Sequence, residues 1–497
     1  MDRSLLESKI RGCWAGKGIG GTLGMPYEGV ARPLTLDRTS LCSAAVPNDD
    51  LELQMLWLVW VEKYGVGLRS HHLTEAWKHY TCLPDEYGIA QWNMARGMQP
   101  PLSGIHNNWF GDGMGAAIRS ELWACLCPGR PALAAAFARE DAIVDHHGNG
   151  VWAEMFLAAA ESAAFECESP LEAIQTGLTY IARDCRVSHA VRFVCELHAA
   201  GVPPHAVRDD IMARFGSDNF TDVSMNLAFI VFGLLYGNGD FETSVLMSVN
   251  CGMDTDCTGA TSAAFLGILM GEEGIPADWR RTVGDELVVS ECLQSLPLPK
   301  TVDEATERVM ALAVGDFAAL SDSPAGMTAD AAGDPIDDGH SWLVFCDPVA
   351  TGYAREPDDV ARASVHPEDF TERVLRSAGI HLNLDSFIEA PGDTLYLLTQ
   401  LRVPEDLDGQ LMICASTGLT AWLDGRAILN YHGRRELVPA FHRTEGGASI
   451  PVQLAAGRWY HLKIRLLSCH APLRLTVALG ATDGRYACDV VYSATAV

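Results

Sequence analysis

The chain is poor in basic residues. Its 497 residues include 36 lysines and arginines against 64 aspartates and glutamates, which gives a formal net charge of −28 at pH 7. Proteins that bind nucleic acid or anionic membrane surfaces need lysine and arginine in excess. The composition therefore argues against both kinds of partner. It is compatible with a demand for divalent cations but does not imply one.

Long hydrophobic runs are also missing, and we expect no secretion signal. The longest apolar runs, such as "LAFIVFGLLYG" at 227–237, are too short to cross a bilayer. The first residues, "MDRSLLESKIRGCWAGKG", lack the basic start and apolar core of a signal peptide. We therefore expect no membrane association and a cytoplasmic location.

The cysteines lack the spacing of a small fold that is stabilised by disulfides or by zinc. The 15 cysteines are odd in number and scattered, without a C-x-x-C motif; Cys125 and Cys127 are the closest pair. This pattern is typical neither of a disulfide framework nor of a zinc ribbon. We expect most of these cysteines to be small core residues in a reducing compartment.

Helical periodicity dominates the chain from residue 4 to about 312. Apolar residues recur there at intervals of three and four, and alternating β-branched runs are absent. Several segments are apolar on nearly all sides, which is typical of central helices in a large bundle. The clearest predicted helices cover 50–65, 150–166, 170–184, 188–201 and 222–237.

The pattern changes near residue 320. "LSDSPAGMTADAAGDPIDDG" is small, acidic and aperiodic, as in a linker. Short β-type runs separated by Gly, Pro and Asp follow, and "LDGRA" predicts a hairpin turn. The sequence therefore predicts a multidomain protein with an all-α domain over 1–318, a linker over 319–336 and a C-terminal β-sandwich accessory domain over 337–497.

Acidic residues stand at the starts of two apolar helices. "PNDDLELQ" begins one helix with Asn48, Asp49 and Asp50, and "NCGMDTDCTG" begins another with Asp254 and Asp256. Each motif alone is equally well explained as a helix cap. Together, these carboxylates would repel one another, and a hard cation such as Mg²⁺ or Mn²⁺ would stabilise them.

A phosphatase motif competes for the second of these segments. Asp254, Asp256 and Thr258 form D-x-D-x-T, the nucleophile signature of haloacid-dehalogenase-type phosphatases. That motif follows a buried strand in a parallel α/β fold, whereas helical sequence precedes it here. The nearest downstream lysine, Lys300, lies on a proline-flanked stretch. We therefore disfavour this alternative.

Five segments, in order, resemble the ADP-ribosylglycohydrolase family over about 310 residues. The last of them is the most specific. They are "GCWAGKGIGGTLGMPYEG" (12–29), "NDDLELQ" (48–54), "GDGMGAAIRS" (111–120), "VDHHGNG" (144–150) and "NCGMDTDCTGATSAAFLGILMGEEGIPADW" (250–279).

The resemblance implies an all-α fold and a magnesium (or manganese) centre of two ions that hydrolyses a bond at the anomeric carbon of a sugar. It assigns Glu28, Asp50 and Asp256 as catalytic residues. It assigns substrate contacts to Gly113, Gly115 and His146. The implied metal ligands are Asn48, Asp49, Asp50, Asp254, Asp256 and Cys257, where Asn48 and Cys257 occupy the places of ligating threonines.

Departures from the family pattern leave the second metal position and the substrate open. Cys257 offers a soft sulfur, a poor ligand for Mg²⁺, and Thr258 stands next to it. Met114 replaces an asparagine of the glycine-rich loop. Asp145 replaces a threonine, and its added negative charge would fit a pyrophosphate poorly.

The expected function is metal-dependent hydrolysis of an N- or O-glycosidic bond in ADP-ribose or a related ribosyl or glycosyl substrate, either free or protein-linked. One alternative is a glycoside or nucleoside hydrolase that recognises a carbohydrate with its β-sandwich; another is an inactive fold relative with a binding role. The sequence does not indicate an oligomeric state. Aromatic residues of the β-domain either stack on sugars or, as we favour, pack internally: Trp342, Trp422, Trp459, Tyr396, Tyr431 and Tyr460.

Overall fold

The chain divides into two compact units. A computed structural model describes residues 1–81, 87–321, 339–347, 374–433, 441, 449–487 and 489–494. One unit contains Met1–Cys82 and Asn93–Gly333, and the other contains Leu83–Trp92 and Asp334–Val497. The predicted linker, from residue 322 onward, lies outside the described residues. Among the described helices, none is both long enough and apolar enough to span a membrane.

The described part of the first unit is helical, and the predicted all-α class is confirmed. Its α-helices, together with one that straddles the division between the units, are α1 (Arg3–Gly24), α2 (Asp49–Tyr64), α3 (Ser70–Tyr80), α4 (Gly88–Ala95), α5 (Leu102–Ile105), α6 (Ser120–Leu126), α7 (Pro131–Ala142), α8 (Gly148–Ala164), α9 (Pro170–Gly177), α10 (Arg186–Ala199), α11 (Pro204–Phe215), α12 (Val223–Tyr236), α13 (Phe241–Val249), α14 (Thr255–Met270), α15 (Ala277–Val283) and α16 (Val302–Val314).

The helices that are apolar on all sides are central, as predicted. Every residue of α12 is buried, and so is all of α14 except its last two residues. One predicted helix is shorter than expected, because α9 ends at Gly177 rather than at residue 184. There the Thr179 hydroxyl donates a 2.7 Å hydrogen bond to the carbonyl of Thr176. Glycine and β-branched threonines are poor helix formers, so a turn replaces the last helical residues.

Helices α1 and α14 pack backbone against backbone. Glycines repeat every four residues along α1, at 12, 16, 20 and 24, and face α14. A Cβ atom added at Gly20 would lie 2.0 Å from the carbonyl oxygen of Gly259, and one added at Gly16 would lie 2.3 Å from that of Ala263. Only glycine permits so close an approach. This contact brings the C-terminal end of α1 to the N-terminal end of α14.

The second unit contains two antiparallel sheets, which confirms the predicted β architecture. One sheet has the order β2-β1-β4-β9-β6-β7, with β11 also paired to β4, and the other has the order β3-β10-β5-β8. The strands are β1 (His340–Asp347), β2 (Val374–Ser377), β3 (His381–Asn383), β4 (Asp393–Arg402), β5 (Leu407–Ala415), β6 (Leu419–Leu423), β7 (Arg426–Tyr431), β8 (Ser449–Leu454), β9 (Tyr460–Cys469), β10 (Arg474–Ala481) and β11 (Val491–Ser493).

One apolar core joins side chains of both sheets, for example Leu397 and Ile464 of the first with Ile413 and Val477 of the second. The predicted hairpin turn is confirmed: it connects β6 to β7 through two residues with positive φ, 47° and 77°. Five of the six aromatic side chains considered above are buried, and only that of Trp459 is half-buried. Packing thus accounts for most of them.

Most of the cysteines are thiols, as expected. Twelve of the described cysteines are free. Cys292 is the exception, because it is disulfide-bonded. The expectation that the cysteines form no disulfide framework therefore holds for these twelve, and Cys292 departs from it.

Candidate metal centre

The two acidic helix starts differ in how their backbone ends are capped. Asn48 caps α2 in the ordinary way, with its Oδ1 accepting a 2.7 Å hydrogen bond from the amide of Asp50. Asp222 and Asp240 likewise cap α12 and α13 through their side chains. Asp254 occupies the same position on α14 but makes no side-chain capping bond. Helix capping therefore does not explain Asp254.

Backbone contacts between two loops bring Glu28 to the start of α14. The amide of Gly29 donates to the carbonyl of Met253 at 2.9 Å, and the amide of Met253 donates to the carbonyl of Val30 at 2.8 Å. Met253 has a φ of 67°, in the left-handed region that non-glycine residues rarely adopt. The loop after α1 and the turn before α14 are thus joined by a short antiparallel bridge.

This turn also decides against the phosphatase alternative. Helix α13 ends at Val249, and Asp254 immediately precedes α14. The D-x-D-x-T sequence therefore follows a helix and a turn in an all-α unit, whereas the phosphatase motif needs a preceding buried strand.

Five side chains converge in two groups that share one aspartate. In the first group, which we call the oxygen site, Glu28, Asp254 and Asp256 each place a carboxylate oxygen within 4.8 Å of the others. In the second, the mixed site, oxygens of Asp50 and Asp256 and the sulfur of Cys257 lie within the same distance of one another. The residues come from segments more than 200 positions apart in the sequence.

The three aspartates of this centre are buried, and most of their carboxylate oxygens make no hydrogen bond. Asp50, Asp254 and Asp256 are between 1% and 3% exposed. Both carboxylate oxygens of Asp50 and of Asp254, and Oδ1 of Asp256, have no hydrogen bond among the described residues. Leaving a charged group buried and unsatisfied is costly. A cation is the partner that this chemistry calls for.

Burial and mutual repulsion shift the pKa values of the acidic groups upward. Burial raises the pKa of Asp50 to about 7; Lys17 opposes this shift, and Asp49 adds to it. Burial, and next the charge of Glu28, raise the pKa of both Asp254 and Asp256 well above the usual range. The causes are burial of the charged form and the accumulation of like charges. A bound cation would reverse the sign of this interaction.

A buried lysine forms an ion pair with one carboxylate of the mixed site. Lys17 of α1 is fully buried, with its Nζ 3.3 Å from Oδ1 of Asp50 and 2.7 Å from Oε1 of Glu121. Gln54 completes the arrangement, because its Nε2 donates to Oε2 of Glu121 at 2.9 Å and to the carbonyl of Asp50 at 2.8 Å. Lys17 thus compensates part of the negative charge and holds the Asp50 carboxylate in place.

The two remaining residues predicted as metal ligands lie at the edge of this centre. Asp49, the first residue of α2, is half-buried and belongs to neither the oxygen site nor the mixed site. Asn48 uses Oδ1 for its cap and directs Nδ2 toward Oδ2 of Asp256, at 3.5 Å. In this arrangement Asn48 holds the carboxylate that the two groups share. Their roles as ligands stay predictions.

The residues predicted to bind substrate lie outside both groups. Gly113 follows a short 3₁₀ helix, Trp109–Asp112, and makes an isolated backbone bridge with Asp222. The carbonyl of Gly115 accepts a hydrogen bond from Arg119. Their contacts with substrate stay predictions.

His146, the third of these residues, belongs to a buried charge network. It is 1% exposed, with Nδ1 2.9 Å from Oδ2 of Asp145. Asp145 also pairs with Arg119 at 2.8 Å, and Asp141 lies 3.1 Å from the same guanidinium. Burial raises the pKa of Asp145, but Arg119 and His146 outweigh it and hold that pKa below the usual range. Arg119 therefore offsets the negative charge that the sequence led us to expect from Asp145.

The sequence reasoning missed Lys17, Glu121 and Arg119. Lys17 did carry a signal, since it is the one charge between Trp14 and Glu28 in a glycine-rich segment. Arg119 stands in the segment 111–120, which we had considered for Gly113, Met114 and Gly115, and Glu121 follows that segment directly. Nothing in the local pattern indicates that their partners are so far away in the chain.

The fold and the site together define a helical protein with a buried, oxygen-rich centre that fits divalent cations. A family model described as ADP-ribosylglycohydrolase matches residues 2–318, more than half of the chain. The chain belongs to the ADP-ribosylglycohydrolase family, and the resemblance inferred from the five motifs is confirmed.

Comparisons with individual proteins are more distant. No curated protein matches. A solved structure described as an ADP-ribosylglycohydrolase-related protein complex is 19% identical, covers 62% of this chain and 98% of its own, and has a TM-score of 0.44. A β-glucosidase from Kluyveromyces marxianus is 11% identical over 30% of this chain and 16% of its own, with a TM-score of 0.20. These likenesses carry no argument about function.

Proposed function

We propose that the helical unit is a divalent-metal-dependent hydrolase that cleaves an N- or O-glycosidic bond at the anomeric carbon of ADP-ribose or a related ribosyl or glycosyl compound. Membership of the family supports glycohydrolase chemistry. One observation carries the metal dependence. Two groups of ligand atoms share Asp256, and most of their carboxylate oxygens are buried with no hydrogen-bond partner.

Divalent cations at these positions would orient the vicinal hydroxyls of the sugar and make a water molecule more acidic. Asp254 and Asp256 would hold the cation at the oxygen site. Asp50 and Asp256 would hold the one at the mixed site, with Lys17 keeping the Asp50 carboxylate oriented. Cleavage of a glycosidic bond passes through an oxocarbenium-like state, which nearby carboxylates stabilise.

Glu28 is the residue we assign to proton transfer. It is half-buried, whereas Asp50 and Asp256, the other two predicted catalytic residues, are almost fully enclosed. A proton donor or acceptor must reach the substrate within hydrogen-bond distance. Of the three, Glu28 has the exposure that this requires, so Asp50 and Asp256 are proposed as ligands only.

The test is a product screen on the full chain with Mg²⁺ or Mn²⁺. The substrates are ADP-ribosyl-arginine, ADP-ribosyl-serine, O-acetyl-ADP-ribose, nucleosides and aryl glycosides. We expect turnover of at least one class, its loss on chelation, and its loss in the double variant Asp254→Asn/Asp256→Asn. The matched control is Asp240→Asn, because Asp240 caps the neighbouring helix through a 2.8 Å bond to the amide of Thr243. Turnover that survives both chelation and the double variant would contradict the proposal.

A second candidate, an inactive relative that binds a ligand, is favoured by one observation. Cys257 stands where the family has a ligating threonine, and its sulfur lies in the mixed site. The same screen distinguishes the two candidates. If Mn²⁺ raises the melting temperature but no substrate class is hydrolysed, the inactive relative is correct.

A further inference from the structure

The two groups of ligand atoms offer different chemistry to a cation. The oxygen site consists of three carboxylates, whereas the mixed site replaces one carboxylate with the sulfur of Cys257. Hard cations such as Mg²⁺ prefer oxygen ligands only, and thiolate ligands favour softer ions such as Zn²⁺ and Co²⁺. A difference of one donor atom is enough to separate these preferences.

The neighbouring hydroxyl does not replace the sulfur. Thr258 donates its Oγ1 hydrogen to the carbonyl of Thr255 at 3.3 Å, inside α14. Its side chain therefore serves the helix rather than the pocket. Asn48 is the other candidate for an oxygen ligand, but its Oδ1 already accepts the hydrogen bond that caps α2. The sulfur is thus the third donor that the mixed site has.

Cys257 also differs from an ordinary buried cysteine of the same region. Cys251, six residues earlier, is 2% exposed, and its thiol donates to the carbonyl of Met247 at 3.3 Å. Cys257 is 8% exposed, and its sulfur lies within 4.8 Å of carboxylate oxygens of Asp50 and Asp256. Oδ1 of Asp50 faces Lys17 at 3.3 Å, but Oδ2 of Asp50 and Oδ1 of Asp256 are buried without a hydrogen bond. These orphaned oxygens indicate a ligand at this position independently of the sulfur.

We propose that the mixed site binds a transition-metal cation of the Zn²⁺ or Co²⁺ type through the Cys257 thiolate, while the oxygen site binds a hard cation such as Mg²⁺ or Mn²⁺. The inference uses the pocket of the proposed function but concerns metal identity, and it does not require turnover. Binding replaces the thiol proton with the cation, so one proton is released for this ligand. Asp50 and Asp256 supply the other donors, and Lys17 balances part of their charge.

The experiment is a Co²⁺ titration of the metal-free full chain, followed by absorption spectroscopy. We expect a thiolate-to-cobalt charge-transfer band in the ultraviolet that saturates as the mixed site fills. The band should disappear in Cys257→Ser and persist in the matched control Cys251→Ser. The ratio of Zn²⁺ to Mg²⁺ affinity should fall by at least about 10- to 100-fold in Cys257→Ser, the loss that follows removal of even an outer-shell partner.

The outcomes separate this inference from the proposed function. If Co²⁺ raises the melting temperature but produces no band, or if the band survives in Cys257→Ser, the inference is overturned and the hydrolase proposal stands. If the band depends on Cys257 but the product screen finds no turnover, the inference stands and the hydrolase proposal fails. Should no divalent cation bind at all, both are overturned. A Cys257→Ser variant that is unfolded by circular dichroism would be replaced by Cys257→Thr, for which the same loss of the band is expected.

Discussion

The close contact between α1 and α14 predicts that two alanine substitutions in α1 change the stability of the helical unit in opposite directions. At Gly20 an added Cβ would lie 2.0 Å from Gly259 O, 2.3 Å from Gly259 C and 2.6 Å from Ala260 N. At Gly18, two residues away, an added Cβ would meet nothing within 4 Å. The three contacts at Gly20 are all with backbone atoms, so rotation of a side chain cannot relieve them. The helices must move apart.

The magnitudes follow from that geometry. Carbon atoms normally approach no closer than about 3.5 Å, so Gly20→Ala requires a separation of roughly 1 Å or more. Overpacking of this kind costs about 1–3 kcal/mol. Gly18→Ala should instead stabilise the helical unit by up to about 1 kcal/mol, because alanine is the better helix former. The two variants should therefore differ by about 1–4 kcal/mol in free energy of unfolding.

The assay is chemical unfolding followed by helical circular dichroism, together with the Mn²⁺-induced rise in melting temperature. Gly20→Ala should reduce both quantities, because the same contact holds the loop that carries Glu28 against Asp254. Gly18→Ala should leave the Mn²⁺ effect unchanged. If Gly20→Ala were as stable as Gly18→Ala, the backbone contact would not hold the centre together, and the reasoning would be refuted.

Two further predictions concern buried charges. Lys17→Met should destabilise the helical unit by about 3–5 kcal/mol, because it leaves the buried Glu121 carboxylate without its ion-pair partner. The double variant Lys17→Met/Glu121→Leu should recover much of this stability in chemical unfolding. If it recovers none, loss of the ion pair is not the cause. In the β-unit, burial lowers the pKa of His381 to about 3, with Nδ1 2.8 Å from Thr476 Oγ1. Since this value lies below the usual 6.5, the unfolded chain binds the proton more readily, and stability is complete above about pH 6.5 and falls with acidification. By pH 5 the loss should be about 1–2 kcal/mol, and His381→Asn should flatten the pH dependence of unfolding; equal slopes for the two proteins would argue against it.

Local patterns were sufficient for much of the fold. The three-and-four spacing of apolar residues predicted α2, α8, α10 and α12 to within a few residues, because each of these helices needs only its own segment to form. The Asp-Gly turn between β6 and β7 was predictable for the same reason. The prediction extended α9 too far, because the spacing of apolar residues does not indicate the turn that follows Gly177.

The candidate site was predictable only in part. Asp50, Asp254 and Asp256 stand at helix starts, where a charged residue before a buried helix is visible in the sequence. The pairing of Lys17 with Glu121 joins residues 104 positions apart, and no periodicity encodes such a contact. Arg119 was missed for the same reason. Residues that satisfy one another across a fold are recognisable only once the fold is known.

Asp256 has one negative charge and serves both groups of ligand atoms. Two cations bound there would both be attracted by that single charge and would repel each other. Binding at one position would therefore change the affinity of the other position for its cation. Thermodynamic linkage makes this effect equal in both directions. If both positions bind cations, the pocket is a single coupled unit, and a binding constant for either ion has meaning only when the occupancy of the second position is stated.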